Sequence, residues 1–101
     1  MGRFYAMTGA ATVTVRLPGV LRPSCGGLKE FPLSVSSVRH ALDAIERLHP
    51  SLHRSICDET GAVRRHVNVF VTTDHVRDRA GLDTALAPGD VVWFLPAVSG
   101  G

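Results

Sequence analysis

Ser37-Val38-Arg39-His40-Ala41-Leu42-Asp43-Ala44-Ile45-Glu46-Arg47-Leu48 decides the fold, because it is the one long helical pattern in a chain otherwise punctuated like a sheet protein. Val38, Ala41, Leu42, Ile45 and Leu48 recur at helical spacing and make one apolar stripe, opposed by Arg39, Asp43, Glu46 and Arg47. Ser36 or Ser37 supplies the N-cap, since a serine hydroxyl accepts a hydrogen bond from an amide that the first turn leaves orphaned. Pro50 is expected to end the helix, and Leu52 to Glu59 to add a short further turn of it.

Outward from this helix the apolar period drops to two. On the N-terminal side, Thr12-Val13-Thr14-Val15-Arg16-Leu17 alternates as a half-buried strand and stops at Pro18-Gly19. A loop from Val20 to Gly27 leads into Leu28 to Val35, where Phe31, Leu33 and Val35 share a face. Pro32 points the other way and has no N–H to give a ladder, so this strand belongs at a sheet edge. On the C-terminal side, His66 to Thr72 reads as a strand with Val67, Val69 and Val71 inward and Asn68 and Phe70 outward. Thr73 to Arg79 reads as a turn plus a short edge strand. Ala87-Pro88-Gly89-Asp90 then turns into a last strand, Val91 to Leu95, closed by Pro96.

The order strand, strand, helix, strand, short strand, strand is α+β. It predicts a mixed sheet of four to five strands under one main helix, the β-grasp (ubiquitin-like) order. The domain is expected over 12–95, after a disordered leader at 1–11 within which Met7 is an alternative start, and before a flexible tail at 96–101. With Val92 and Phe94 inward, Trp93 and Leu95 face out beside Phe70. Together with Arg16 they would form an apolar patch on the open side of the sheet, a candidate docking surface. A register shifted by one would instead bury Trp93 as core.

Composition narrows the function. The chain has 101 residues, a formal charge of +2, and ten arginines but a single lysine, Lys29. Arg64-Arg65 is the only adjacent basic pair, so no stripe tracks a phosphate backbone and no nucleic-acid partner is expected. No apolar run reaches membrane-spanning length, and Met1 to Ala11 lacks the apolar stretch of a secretory signal, so a cytoplasmic location is expected. Cys25 and Cys57 fit no metal spacing and read as reduced, partly buried thiols. His49 and His53 stand four apart, but Pro50 interrupts the helix they would need, so no metal site is expected. Asp43 and Glu46 read as a solvated helix face rather than an acid–base pair.

The ending Val98-Ser99-Gly100-Gly101 follows the last strand directly. A glycine pair lacks Cβ atoms, so it is thin and extensible and suited to present a carboxylate inside a narrow channel. A frayed end without a role is the alternative.

Three stretches carry a family resemblance: Leu21-Arg22-Pro23 followed by Gly26-Gly27, then His66-Val67-Asn68-Val69-Phe70-Val71 leading to Val76-Arg77, and the end Leu95-Pro96-Ala97-Val98-Ser99-Gly100-Gly101. On this element order they resemble the ubiquitin-like sulfur carriers of the MoaD/ThiS family, with the likeness inside that group running to CysO-type carriers. It spans about Thr12 to Gly101. Two positions depart from it: Thr72-Thr73 where the family often has Asn, and Trp93 where a smaller polar residue is common. The resemblance implies a protein cosubstrate with no catalytic residues. Its Gly101 would be adenylated by an E1-like adenylyltransferase/sulfurtransferase and converted to a thiocarboxylate, while Gly100, Ser99 and Val98 pass through the partner's channel. It implies no bound cofactor, with Mg-ATP belonging to the partner. The implied sulfur acceptor is a PLP-dependent cysteine synthase, with a zinc JAMM-type peptidase trimming the product, or alternatively the large subunit of molybdopterin synthase. A ubiquitin-like protein modifier is a further alternative, disfavoured by the single lysine where lysine-linked chains are concerned.

Overall fold

The computed structural model describes residues 10–97. Strands β1 (Ala11–Arg16) and β2 (Glu30–Val35) form an antiparallel hairpin, with Val13 opposite Leu33 and Val15 opposite Phe31. Helices α1 (Val38–Leu48) and α2 (Pro50–Ile56) follow, then β3 (Val67–Val71), the two-residue β4 (Asp74–His75) and β5 (Val91–Pro96). The sheet order is β2-β1-β5-β3-β4, with β5 parallel to β1 and antiparallel to β3. A chain whose first and last strands lie parallel at the sheet centre, crossed by a helix, is a β-grasp fold. The helices cover one face and leave the other open.

The core follows the period-two reading. Val13, Val15, Phe31, Leu33, Val35, Val69, Val71, Val92 and Phe94 are all buried against the helices. Fully burying such a side chain is worth about 1.5–3 kcal/mol each, which is ample driving force for one domain of this size. Ser37 is the N-cap of α1, its hydroxyl accepting from the His40 amide at 3.1 Å. The amides of Val38 and Leu86 donate to Thr84 and Ser36 carbonyls at 3.1 and 3.0 Å, tying the start of α1 to the segment before β5. Buried Thr84 is satisfied: its hydroxyl donates to the Gly81 carbonyl at 2.7 Å and accepts from the Ala80 amide at 3.2 Å.

The helical region departs from the sequence reading. α1 ends at Leu48, before Pro50 as expected, but Pro50 also opens α2, so the further helical turn expected over Leu52 to Glu59 starts earlier, at Pro50, and ends at Ile56; the missing N–H costs nothing at a first helical position. The bend at His49 takes Leu48 out of the apolar stripe and leaves it 59% exposed, while Ala44 joins the buried face. Leu52 and Ile56 of α2 fill the space that a continued α1 would have covered. The expected loop after β1 is largely a 3₁₀ segment, Gly19–Cys25, closed by Gly26 at φ 70°. Strand β1 begins at Ala11, which is buried, and β5 continues through Pro96. Residues 1–9, most of the expected leader, lie outside the described residues.

Candidate functional site

The last strand is paired on both sides, and the sheet holds the chain as far as Ala97, whose amide donates to the His66 carbonyl at 2.6 Å. Beyond this point the sequence-derived candidates Val98, Ser99, Gly100 and Gly101 lie outside the described residues. The described site is therefore the ground around the tail's root.

One register row crosses that ground. Glu30 pairs with Arg16, Arg16 with Trp93, Trp93 with Phe70, and Phe70 with His75, so a single line of side chains runs over all five strands on the open face. The Arg16 Nε donates to Glu30 Oε1 at 2.8 Å, and its guanidinium lies 5.7 Å from the Trp93 ring centroid. That is a favourable cation–π range, worth about 0.5–1 kcal/mol at an exposed site. Phe70 meets the His75 imidazole edge to face at 4.9 Å. His75 Nδ1 accepts from the Arg77 amide at 3.0 Å, which leaves Nε2 to donate to Asn68 Oδ1 at 3.1 Å.

Trp93 and Leu95 are half-buried while Val92 and Phe94 are fully buried, so the register with Trp93 outward is the one adopted. Phe70, Thr72, Trp93 and Leu95 line a shallow apolar depression of about 260 Å³. Across Trp93 lies a second hollow of about 230 Å³, lined by Arg16, Leu17, Arg22, Lys29 and Glu30. The structure thus brings together all four patch candidates, Phe70, Trp93, Leu95 and Arg16.

Sequence reasoning missed Thr72, the first residue of the two-residue turn joining β3 and β4. It sits at φ 57°, a left-handed conformation that a β-branched residue adopts only under constraint. The constraint is visible: the Thr72 amide donates to the Val91 carbonyl at 2.6 Å and its hydroxyl donates to Asp90 Oδ1 at 2.9 Å. Asp90 Oδ2 in turn accepts from the Ala87 amide at 2.8 Å. The signal was present as the departure from Asn, a residue that tolerates this conformation.

Neither cysteine belongs to this ground. Both are free and buried in the core, deeper than their sequence suggested. Burial pushes the Cys57 thiol up to about 11, with the Asp58 carboxylate adding to the effect, so it is a poor nucleophile at neutral pH. Among the described residues no cluster of three or more His, Cys, Asp or Glu can hold a metal ion, and no helix is long and apolar enough to cross a membrane. His49 precedes Pro50 as the residue capping α2 and packs its ring 4.7 Å from Phe31. Asp43 and Glu46 line an open polar groove of about 440 Å³ on the helical side with Arg39, His53 and Asp58 among others, far in the fold from the sheet's open face.

Comparison with known proteins agrees with this architecture. A family profile described as the ThiS family matches residues 15–101. The sulfur carrier protein CysO of Mycobacterium tuberculosis is 37% identical over 91 residues, covering 88% of this chain and 98% of the relative. Among solved structures, the Amycolatopsis orientalis BexX/CysO complex contains a chain 34% identical, with a TM-score of 0.79 over 88% of this chain and 99% of that one. The small archaeal modifier protein 1 of Methanosarcina acetivorans is 30% identical, with a TM-score of 0.81 over 91% of this chain and 98% of that one. With its β-grasp topology, its carboxy-terminal strand at the sheet centre and a match over nearly its whole length, the chain belongs to the ThiS family and is a homologue of the CysO sulfur carriers.

Proposed function

We propose that this protein carries sulfur on its own C-terminus, as a thiocarboxylate of Gly101. One observation carries the reading: the ThiS match runs beyond Ala97, which the sheet holds through its bond to His66, to residue 101. Four residues reach at most roughly 13–14 Å when extended, enough to enter a channel while the folded domain stays docked outside.

The chemistry explains the division of labour. A carboxylate resists substitution at neutral pH because its oxygens are poor leaving groups. An E1-like partner, using Mg-ATP, would convert the Gly101 carboxylate to an acyl-adenylate, with pyrophosphate leaving. Sulfide would then displace AMP and leave the thiocarboxylate directly; a persulfide would instead give an acyl disulfide, which a second thiol would cleave to the thiocarboxylate and a disulfide. That anion stays ionised at pH 7, whereas an ordinary thiol with a pKa near 8.5 is mostly protonated. The protein is a cosubstrate in this scheme, with no bound cofactor or metal of its own. Phe70, Trp93, Leu95 and Arg16 dock the adenylating enzyme, and Gly100, Ser99 and Val98 thread its channel. The similarity to CysO favours a PLP-dependent cysteine synthase as acceptor, with a zinc peptidase releasing the product, in a cytoplasmic setting.

Intact mass after incubation with the adenylating enzyme, ATP and a sulfur donor tests the proposal. A gain equal to sulfur replacing oxygen is expected for the full chain and not for a variant lacking Gly101. No gain with the full chain would refute it. The 30% identity to a small archaeal modifier protein favours a second reading, conjugation through Gly101 to lysines of other proteins. Gly-Gly remnants on target lysines would distinguish it.

A further inference from the structure

Thr72 is the one non-glycine residue at positive φ among the described residues, and the group that holds its side chain is itself fixed. The Asp90 carbonyl accepts from the Thr14 amide of β1 at 3.0 Å, and its amide donates to the Ala87 carbonyl at 3.1 Å. Its Oδ2 accepts from the Ala87 amide at 2.8 Å, which leaves Oδ1 for the Thr72 hydroxyl at 2.9 Å. One carboxylate thus ties the β3–β4 turn to β1 and to the turn before β5.

The fold does not need threonine at this position. The bond that closes the turn onto β5 comes from the Thr72 amide, which any residue except proline supplies, and the side chain is exposed rather than core. Asparagine or glycine would adopt the same backbone at less cost. Strain that the scaffold does not require points to a role at the surface. Threonine adds shape there. Phe70 and Trp93 form the middle row of the apolar depression, Leu95 stands at the end nearer the tail, and Thr72 stands at the far end. With its hydroxyl turned to Asp90, Thr72 is left to close that end with its γ-methyl.

The tail decides what covers the depression. Leu95 and Trp93 lie two and four residues before Ala97 on the same strand, and the four residues beyond Ala97 span at most roughly 13–14 Å. An enzyme that admits Gly101 must therefore press the mouth of its channel against this ground. A carboxylate needs activation whether sulfur or an amine finally takes the acyl group, so the adenylating enzyme is the partner that both readings of the function require. We infer that Thr72 is a specificity-determining residue for adenylation: its methyl closes the depression around an aliphatic side chain of the adenylating enzyme, and Asp90 is the positioning residue that holds it in place. The inference rests on the reading of Gly101 as the reacting group and deepens it.

The test uses the full chain and its adenylating enzyme, with the KM for the chain read by ATP–pyrophosphate exchange. Thr72→Ser keeps the hydroxyl and should raise that KM about fourfold, the worth of one buried methyl group. Thr72→Asn suits the backbone but sets an amide against an apolar partner, and should raise it about tenfold. In both, kcat should change little, because the lost contact is made before and during reaction alike. Thr73→Asn, an exposed neighbour outside the depression, should stay within about twofold of the parent. Asp90→Ala should raise the KM in the parent and add nothing further in Thr72→Ser, where the methyl it positions is already gone. Unchanged KM values for both Thr72 variants overturn the inference, as does an equal rise for Thr73→Asn. Additive losses from Asp90→Ala and Thr72→Ser overturn the positioning role. If the unaltered chain is never adenylated, the reading of Gly101 fails and the inference with it; if it is adenylated and the Thr72 variants match it, the inference alone fails.

Discussion

Phe94 and Trp93 are neighbours in the central strand with opposite duties, and truncating each to alanine should separate them. Phe94 is wholly buried beneath the helices. Phe94→Ala should therefore cost about 3–5 kcal/mol, the transfer free energy of the ring plus the cavity it leaves. A domain of this size has roughly 5–15 kcal/mol of stability, so this is a large share of it. Trp93 lies on the open face, paired in register with Phe70 and under the Arg16 guanidinium. Its removal forfeits a cross-strand pair worth about 0.2–1 kcal/mol and a cation–π contact worth about 0.5–1 kcal/mol. Trp93→Ala should cost about 1–2 kcal/mol in total. In Tm, at about 4–8 °C per kcal/mol, the first variant should fall by roughly 12 °C or more and the second by clearly less. Far-UV circular dichroism is the assay, because the second variant removes the only tryptophan. Adenylation kinetics should then invert the order: Trp93→Ala, though folded, should raise the KM of the adenylating enzyme. A larger loss from Trp93→Ala than from Phe94→Ala would refute the reasoning, since it would mean that the strand lies one residue out of the register described.

Other consequences can be checked alongside. Thr72→Asn should raise Tm by a few degrees by relieving about 1 kcal/mol of left-handed strain; a fall would show that the Thr72–Asp90 hydrogen bond outweighs that strain. Ser37→Ala should cost about 1 kcal/mol in urea unfolding, because it strips the cap from α1 and leaves the rest of its environment intact. Burial raises the Cys57 pKa, so its stabilising effect is full below the ordinary thiol range and is lost as pH rises through about 11. Cys57→Ala should flatten that alkaline loss, and alkylation of Cys57 at neutral pH should require unfolding.

Much of the fold was legible because alternation and turn residues are local signals. Phe31, Leu33 and Val35 against Pro32 gave both the buried face of β2 and its edge position, and the Val92–Phe94 alternation gave the open-face patch. The misreadings came where tertiary packing decides. Leu48 fits the helical stripe by spacing, but whether the helix continues past it depends on where α2 packs, and Pro50 reads equally as a stop or a start. The compact 3₁₀ segment with its exposed Val20 was illegible because Val20 sits in no periodic segment, and Leu28, read as the start of a strand, lies outside β2, which begins at Glu30, and is exposed. The row from Glu30 to His75 emerges only from strand register, which no single stretch of sequence contains.

Locating the transferred sulfur within the protein tests the central claim most directly. After reaction with the adenylating enzyme, ATP and a sulfur donor, peptide mapping by tandem mass spectrometry should place the added sulfur on the terminal glycine, Gly101, with Cys25 and Cys57 unchanged. Sulfur found as a persulfide on either cysteine, with Gly101 unaltered, would contradict the account.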